Sequence, residues 1–440
     1  MARSSPRPTW LGSDQWLARL VGRPVARFLR VEAAGGILLL AATASALVWA
    51  NSPWSDSYDD LWSTVVSVEI GDAAITQDLR HWVNDGLMAL FFFVVGLEIK
   101  RELVVGQLAS PREAALPAVA ALGGMVVPAL VFLAFNPSGP ESNGWAIPMA
   151  TDIAFAVGVL ALLGDRVPST LRVLLLGLAI ADDIGAIVVI AVFYTDDLEV
   201  AALAVAVAAL AATVLLLRAR VWYAPVYLAM GVVVWVALFQ SGVHATIAGV
   251  ALGLLTPARP LMADVDADRI ADELSADSAV DAAEIRDISF RIRESVSVAE
   301  RLEDALHPWT SYVVVPLFAL ANAGIPLTSD ALSDAAESTV TIGVTLGLVL
   351  GKLVGVAGAT ALAVRLGIGR LPADIGWRHV VGMAGLAGIG FTVSLFITGL
   401  AFEDDVALQD AAKVGVLVAS LLAAAIGSSV LLRAHRPSRT

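Results

Sequence analysis

Leu178-Ala179-Ile180-Ala181-Asp182-Asp183-Ile184-Gly185-Ala186-Ile187-Val188 sets two adjacent acids in the middle of an apolar stretch running from Val173 to Tyr194. Read as a helix, about 22 residues cover the roughly 30 Å hydrocarbon core of a bilayer, which puts both carboxyl groups near mid-depth. Charge at that depth is tolerated where it faces a bundle interior or a watery cavity. Neighbouring helix positions point about 100° apart, so one acid is expected to face a cavity squarely and the other to sit at its flank or face a neighbouring helix. The opposing reading, a soluble helix-to-loop junction with two solvated acids, sits badly with flanks of Leu, Ile, Val and Ala.

Composition supports the membrane setting. Of 440 residues, 58% are hydrophobic and 16% charged, and mean hydropathy is +0.78, values that belong to polytopic membrane proteins. The chain has no cysteine, so disulfides and thiolate metal sites are excluded. With 7% aromatics, a net charge of −13 and no basic stripe, nucleic acid is not an expected partner. The five histidines show no metal or nucleophile spacing and no glycine-rich phosphate loop follows a strand, so neither enzyme activity nor a cofactor is expected. Among 28 lysines and arginines only Lys100, Lys352 and Lys413 are lysine, which makes a lysine inside a span conspicuous.

Twelve apolar runs are expected to cross the membrane, at about 31–50, 82–104, 114–135, 145–163, 170–194, 198–218, 222–239, 243–257, 309–326, 338–364, 375–400 and 408–432. Basic residues fall in alternate connections, at 98–113, 164–172, 218–221, 258–305, 365–378 and after 432, whereas the intervening loops hold almost none except Arg80. That alternation is the positive-inside pattern for twelve spans with both termini cytoplasmic. The expected organisation is a cytoplasmic amphipathic segment at 1–30, a first bundle at 31–257, a cytoplasmic loop at 258–305 with a dense acidic run, a second bundle at 306–432, and a tail at 433–440. Alternation around Gly71-Asp72 predicts a small extracytoplasmic β-hairpin at about 66–76.

Two other spans carry an ionisable group near mid-depth, Asp152 and Lys352. Glycines 347, 351 and 355 around Lys352 would let another backbone come close. An unpaired buried charge is costly, so Lys352 is expected against one of the aspartates. The preferred pairing is Asp182 with Lys352, leaving Asp183 free to meet a cation; alternatively the pair only ties helices together. Two spans look broken, at 143–152 and 382–392, by Gly, Pro and polar residues. They are the middle members of triplets at 114–194 and 338–432 that start on opposite sides, an inverted repeat. Asp152 and Lys352 could neutralise the dipole ends of the half-helices.

Ala150-Thr151-Asp152-Ile153-Ala154-Phe155-Ala156, Ala181-Asp182-Asp183-Ile184-Gly185, Ser241-Gly242-Val243-His244-Ala245-Thr246, Gly96-Leu97-Glu98-Ile99-Lys100-Arg101-Glu102, Leu306-His307-Pro308-Trp309 and Gly388-Ile389-Gly390-Phe391-Thr392 together resemble the NhaA-type bacterial Na+/H+ antiporters over about 31–432. The resemblance implies a multi-pass protein of a prokaryotic plasma (inner) membrane, an all-α polytopic bundle with two crossing broken spans. It implies electrogenic export of Na+ or Li+ in exchange for protons, with activation at alkaline pH. Asp182 and Asp183 would bind the cation and protons by turns, Asp152 and Thr151 would sit at the crossing, and Lys352 would pair with Asp182. Aspartate rather than asparagine at position 182 favours the electrogenic form. The family's cytoplasmic pH-response cluster would map to Glu98, Glu102, His244, Glu303 and His307, with Asp304 where histidine is common. A homodimer is implied by the hairpin and the family likeness.

Two other readings compete. A Na+-coupled organic-acid symporter would need a substrate pocket rich in polar groups, whereas the spans offer small residues and acids. A membrane Na+ or pH sensor that does not transport would use the acidic loop as its output, although nothing after 432 resembles a signalling domain.

Overall fold

Two apolar helix pairs break and meet at their breaks, and the rest of the bundle packs around that meeting point. The computed structural model describes residues 34–70, 73–195, 198–221, 223–262 and 282–434. The amphipathic segment expected over 1–30, the hairpin apex, most of the acidic run and the last residues of the tail lie outside the described residues.

Helix α1 (Ala34–Ala50) turns by 116° into the polar α2 (Ser55–Trp62). Strands β1 (Val65–Ile70) and β2 (Ala73–Asp78) pair antiparallel, with Val65 opposite Asp78 and Ile70 opposite Ala73. Helix α3 covers 79–104 and winds as a π turn at Trp82–Leu87. Its first turn is capped by Asp78, which accepts from the His81 amide at 2.8 Å.

Helix α4 (Pro111–Phe135) begins with proline at its first position, where no amide partner is lost. A 3-10 run, Pro140–Met149, leads after three extended residues into α5 (Ile153–Leu163), bent by 40°. Gly164, at φ +60°, stops α5 in a conformation that disfavours side chains. Then follow α6 (Ser169–Phe193), α7 (Val200–Arg218), α8 (Ala224–Gln240), α9 (Thr246–Leu255) and α10 (Ala282–Glu294). Helix α11 covers 298–322 with a π turn at Thr310–Val314, and α12 (Ser329–Glu337) is short and polar. Helix α13 (Thr339–Arg365) includes a π turn at Gly347–Gly351. The second broken pair is α14 (Trp377–Leu386) with α15 (Phe391–Ala401), bent by 45°, before the final α16 (Val406–Ala434).

Among the described residues, α4, α6, α7, α13 and α16 are each long and apolar enough to cross a membrane, and counting each bent pair as one span makes eight. Helices α8 and α9 are shorter apolar helices, and α3 and α11 are runs divided by π turns.

Small residues set the closest packing. A Cβ on Gly351 would sit 2.8 Å from the Pro128 Cα, and one on Gly347 2.7 Å from Pro148 Cβ, so α13 lies directly on α4 and the 3-10 run. Gly253 of α9 meets Gly96 of α3 equally closely. Such contacts replace the hydrophobic drive that is missing between helices in lipid. Polar clasps supplement them: Asn84 and Asn322 exchange amide hydrogen bonds of 2.8 and 3.3 Å between α3 and α11. The Tyr58 hydroxyl donates to the Leu320 carbonyl at 2.9 Å and accepts from the Gly324 amide.

Candidate ion-exchange site

The site is built at the two breaks, where helix ends leave backbone groups without intrahelical partners. Asp152 precedes α5, and its Oδ1 accepts from the Phe155 amide at 2.9 Å. Its Oδ2 accepts from the amide of Thr392 at 3.0 Å and from the Thr392 hydroxyl at 2.7 Å. One carboxylate thus closes the N-termini of α5 and α15 together, where helix dipoles favour negative charge. The Asp152 amide donates to the Ile389 carbonyl at 2.6 Å, and the Ser394 hydroxyl to the Ile147 carbonyl at 2.8 Å, so the two broken segments are laced directly. Gly390 leaves the room for this: its built Cβ would stand 3.0 Å from the Ala150 carbonyl.

Lys352 reaches the crossing from α13. Its ammonium donates to Asp182 Oδ2 at 2.6 Å and to the Thr151 hydroxyl at 3.0 Å, and Thr151 in turn donates to the Ala387 carbonyl at 2.9 Å. The lysine is therefore relayed through Thr151 to the C-terminal end of α14, the negative end of that dipole. Lys352 and Asp182 are both fully enclosed at the side chain. The second Asp182 oxygen, Oδ1, is buried and accepts no hydrogen bond from the described residues.

Asp183 lies on the next position of α6, 7% exposed. It makes no hydrogen bond to any described residue. Asp182, Glu98 and Asp152 act on it as like charges, and Lys352 as the opposing one. A carboxylate so enclosed, among further acids and with one lysine already engaged, calls for a proton or a cation to balance it. Among the described residues no three His, Asp or Glu side chains converge as a metal cluster. The oxygens left without a described hydrogen-bond donor are those of Asp183 and Oδ1 of Asp182.

Known proteins match this chain over nearly its whole length. The Na+/H+ antiporter 1 family model matches residues 26–431. The chain belongs to that family. It is 48% identical to Na(+)/H(+) antiporter NhaA 2 of Sorangium cellulosum, over 99% of this chain and 95% of that protein. It is 49% identical to Na(+)/H(+) antiporter NhaA 3 of Frankia alni, over 93% of this chain and 89% of that protein, and 48% identical to the NhaA of Rhodopirellula baltica, over 95% and 94%. With its apolar helices, this NhaA-family chain is a bacterial membrane protein.

The family's implied pH-response positions separate in space. Glu303, on the first turns of α11, is held by Arg101 of α3 at 2.9 Å, and Arg101 also lies 3.8 Å from Glu102. Glu102 accepts from the Gln107 amide at 2.9 Å, closing the end of α3. Glu98 lies within electrostatic reach of Glu303, Arg101 and Glu102. Burial pushes the Glu303 carboxyl above its usual range, and the Arg101 guanidinium opposes that shift. His307 is exposed, its Nε2 3.5 Å from the Ser311 hydroxyl.

His244 does not join that cluster, contrary to the sequence expectation. Gly249 of α9 packs on Ala89 and Phe93 of α3, and Gly253 on Phe93 and Gly96, so the two helices run in the same direction. His244 precedes α9 and therefore stands toward the Met88 end. Glu98 lies nine residues beyond Ala89, roughly 13 Å farther along the axis.

Sequence reading missed two features of this NhaA relative. Thr392 was visible only as part of a motif, although it supplies two of the hydrogen bonds to Asp152. Lys413 is also buried, 3.6 Å from Asp410, one turn earlier on α16. The scarcity of lysine was the available signal for it.

Proposed function

We propose that this chain is an electrogenic secondary antiporter that exports Na+ or Li+ in exchange for protons. Asp182 and Asp183 serve as the carboxylates for which the two ions compete. The observation that carries this reading is Asp183, nearly enclosed and without a hydrogen bond to any described residue, beside an Asp182 held by Lys352. Because one carboxyl pair takes either ion, only the loaded forms need reorient between the two sides of the membrane, and exchange follows from competition. Aspartate at 182, with Lys352 as an exchangeable partner, provides a second protonatable group and hence net charge movement.

We further infer twelve crossings with both termini cytoplasmic in the inner membrane. The five long helices, three bent pairs, α3, α8, α9 and α11 supply twelve candidates. Activation at alkaline pH is assigned to the Glu98, Glu102, Arg101 and Glu303 group, and dimerisation to the strand pair, where Val65 and Val68 are 62% and 46% exposed.

The test is collapse of a preformed proton gradient in everted vesicles on adding Na+, Li+ or K+, from mildly acidic to alkaline pH, for wild type beside Asp183→Asn and Asp182→Asn. Dissipation by Na+ or Li+ in wild type with neither variant responding supports the antiporter and both carboxylates. A wild-type gradient untouched by every cation at every pH overturns it, and a symporter or a sensor takes its place.

A further inference from the structure

A cavity of ≈ 920 Å³ opens where the ends of three helices meet on the arginine-rich side of the bundle. Its walls come from the start of α4, the start of α6 and the segment following α13. Leu116, Pro117, Val173, Leu174 and Ile368 give it an apolar floor. Arg112 and Arg370 stand at the lining with Glu113, and Asp374 accepts a hydrogen bond from the Thr170 hydroxyl at the same wall. Both arginines are exposed, and neither makes an ion pair or a hydrogen bond with a described residue. Ser169 and Thr170 add the first turn of the 25-residue α6, whose N-cap, Pro168, has no side-chain group to offer the amides.

We propose that this cavity binds the headgroup of an anionic phospholipid, with one acyl chain along the apolar floor. Two guanidinium groups without an ion pair to a described residue and an uncapped helix N-terminus suit a phosphate diester, whose oxygens accept charge-assisted hydrogen bonds from both. Helix ends on the basic side of a membrane protein lie at headgroup level, and basic pockets between spans at that level take anionic lipid. A vestibule for cations is disfavoured by the same two arginines, which repel Na+ at the mouth. The floor distinguishes a lipid from a free phosphate, which has no use for Leu116, Val173 and Ile368.

The occupant would bridge the helix that carries Asp182 and Asp183 to the helix that carries Lys352, at their ends. Headgroup binding therefore couples to how those two helices move against each other, whether or not the ions exchanged are those proposed above.

The experiment uses the purified full chain in nanodiscs of phosphatidylcholine alone or with phosphatidylglycerol, with thermal unfolding and native mass spectrometry as readouts. Wild type should retain phosphatidylglycerol and unfold at higher temperature in its presence. Arg112→Ala/Arg370→Ala should lose affinity roughly tenfold or more per arginine, as expected for removal of a charge-assisted bond. Arg112→Lys/Arg370→Lys should keep part of it. Val173→Trp fills the cavity and leaves the arginines intact, so it should also abolish retention. Equal stabilisation of the wild type and the alanine pair, or equal stabilisation by inorganic phosphate in phosphatidylcholine, overturns the proposal. If the alanine pair does not fold, full lipid retention by Val173→Trp overturns it instead.

Discussion

Lys352 Nζ lies 2.6 Å from Asp182 Oδ2, joining α13 to α6 across 170 positions of sequence in a place that admits no solvent to either side chain. Each charge is tolerable only because the other is there. The pair therefore behaves as a unit: losing one member is expected to harm the protein more than losing both.

Lys352→Met should lower stability by about 3–5 kcal/mol, because it strands a buried carboxylate. Asp182→Asn/Lys352→Met, which removes both charges, should recover most of that loss while abolishing exchange. Thermal unfolding in detergent of the single and double variants checks this, and equal loss in both would mean that the pair is not coupled.

Asp152→Ala removes the acceptor for the Phe155 amide and for both Thr392 donors. A cost of about 2 kcal/mol or more is expected, since two helix N-termini lose their cap. Thr392→Val keeps the backbone bond and should cost about 1 kcal/mol. The order of the two unfolding temperatures tests whether Asp152 serves both helices.

Gly351→Val forces a side chain into Pro128, 2.8 Å from where its Cβ would stand, and should destabilise by about 1–3 kcal/mol through overpacking. Gly358, on the same helix, has nothing within 4 Å of its Cβ direction, so Gly358→Ala should be tolerated. Expression level and unfolding temperature of the two variants separate close approach from any general intolerance of α13.

Burial raises the Glu303 carboxyl in the folded state, so its share of stability is present below the ordinary glutamate range and is lost as pH rises through the raised value. Arg101 opposes the shift from 2.9 Å. Arg101→Ala should accordingly move that loss to higher pH and deepen it, whereas Glu303→Gln should flatten it. Unfolding temperature against pH reads both; identical profiles for Arg101→Ala and wild type would remove Glu303 from the pH response.

Replacing β1 and β2 by a short Gly-Ser link should halve the mass of the detergent-solubilised particle, if the strand pair with its exposed Val65 and Val68 holds two copies together. Light scattering after size exclusion decides it. An unchanged mass would place the dimer contact elsewhere or show that there is none.

The sequence by itself determined the membrane setting, the positions of the two breaks and which charges at depth are buried. Apolar run length, glycine and proline at depth, and the cost of burying Asp152, Asp182, Asp183 and Lys352 are all local properties. The glycines at 347 and 351 likewise announced a close approach before any partner was known, and the partner proved to be α4 and the 3-10 run. What only the tertiary structure decided is who meets whom. Asp152 caps its own helix and one 240 positions away, Thr151 relays Lys352 to the end of α14, and His244 is carried away from Glu98 because α9 and α3 run the same way. Hydropathy and spacing fix how deep a residue sits along its own helix. They do not fix rotation about that helix, or which neighbour shares its depth, because both are set by side-chain packing between segments far apart in the chain.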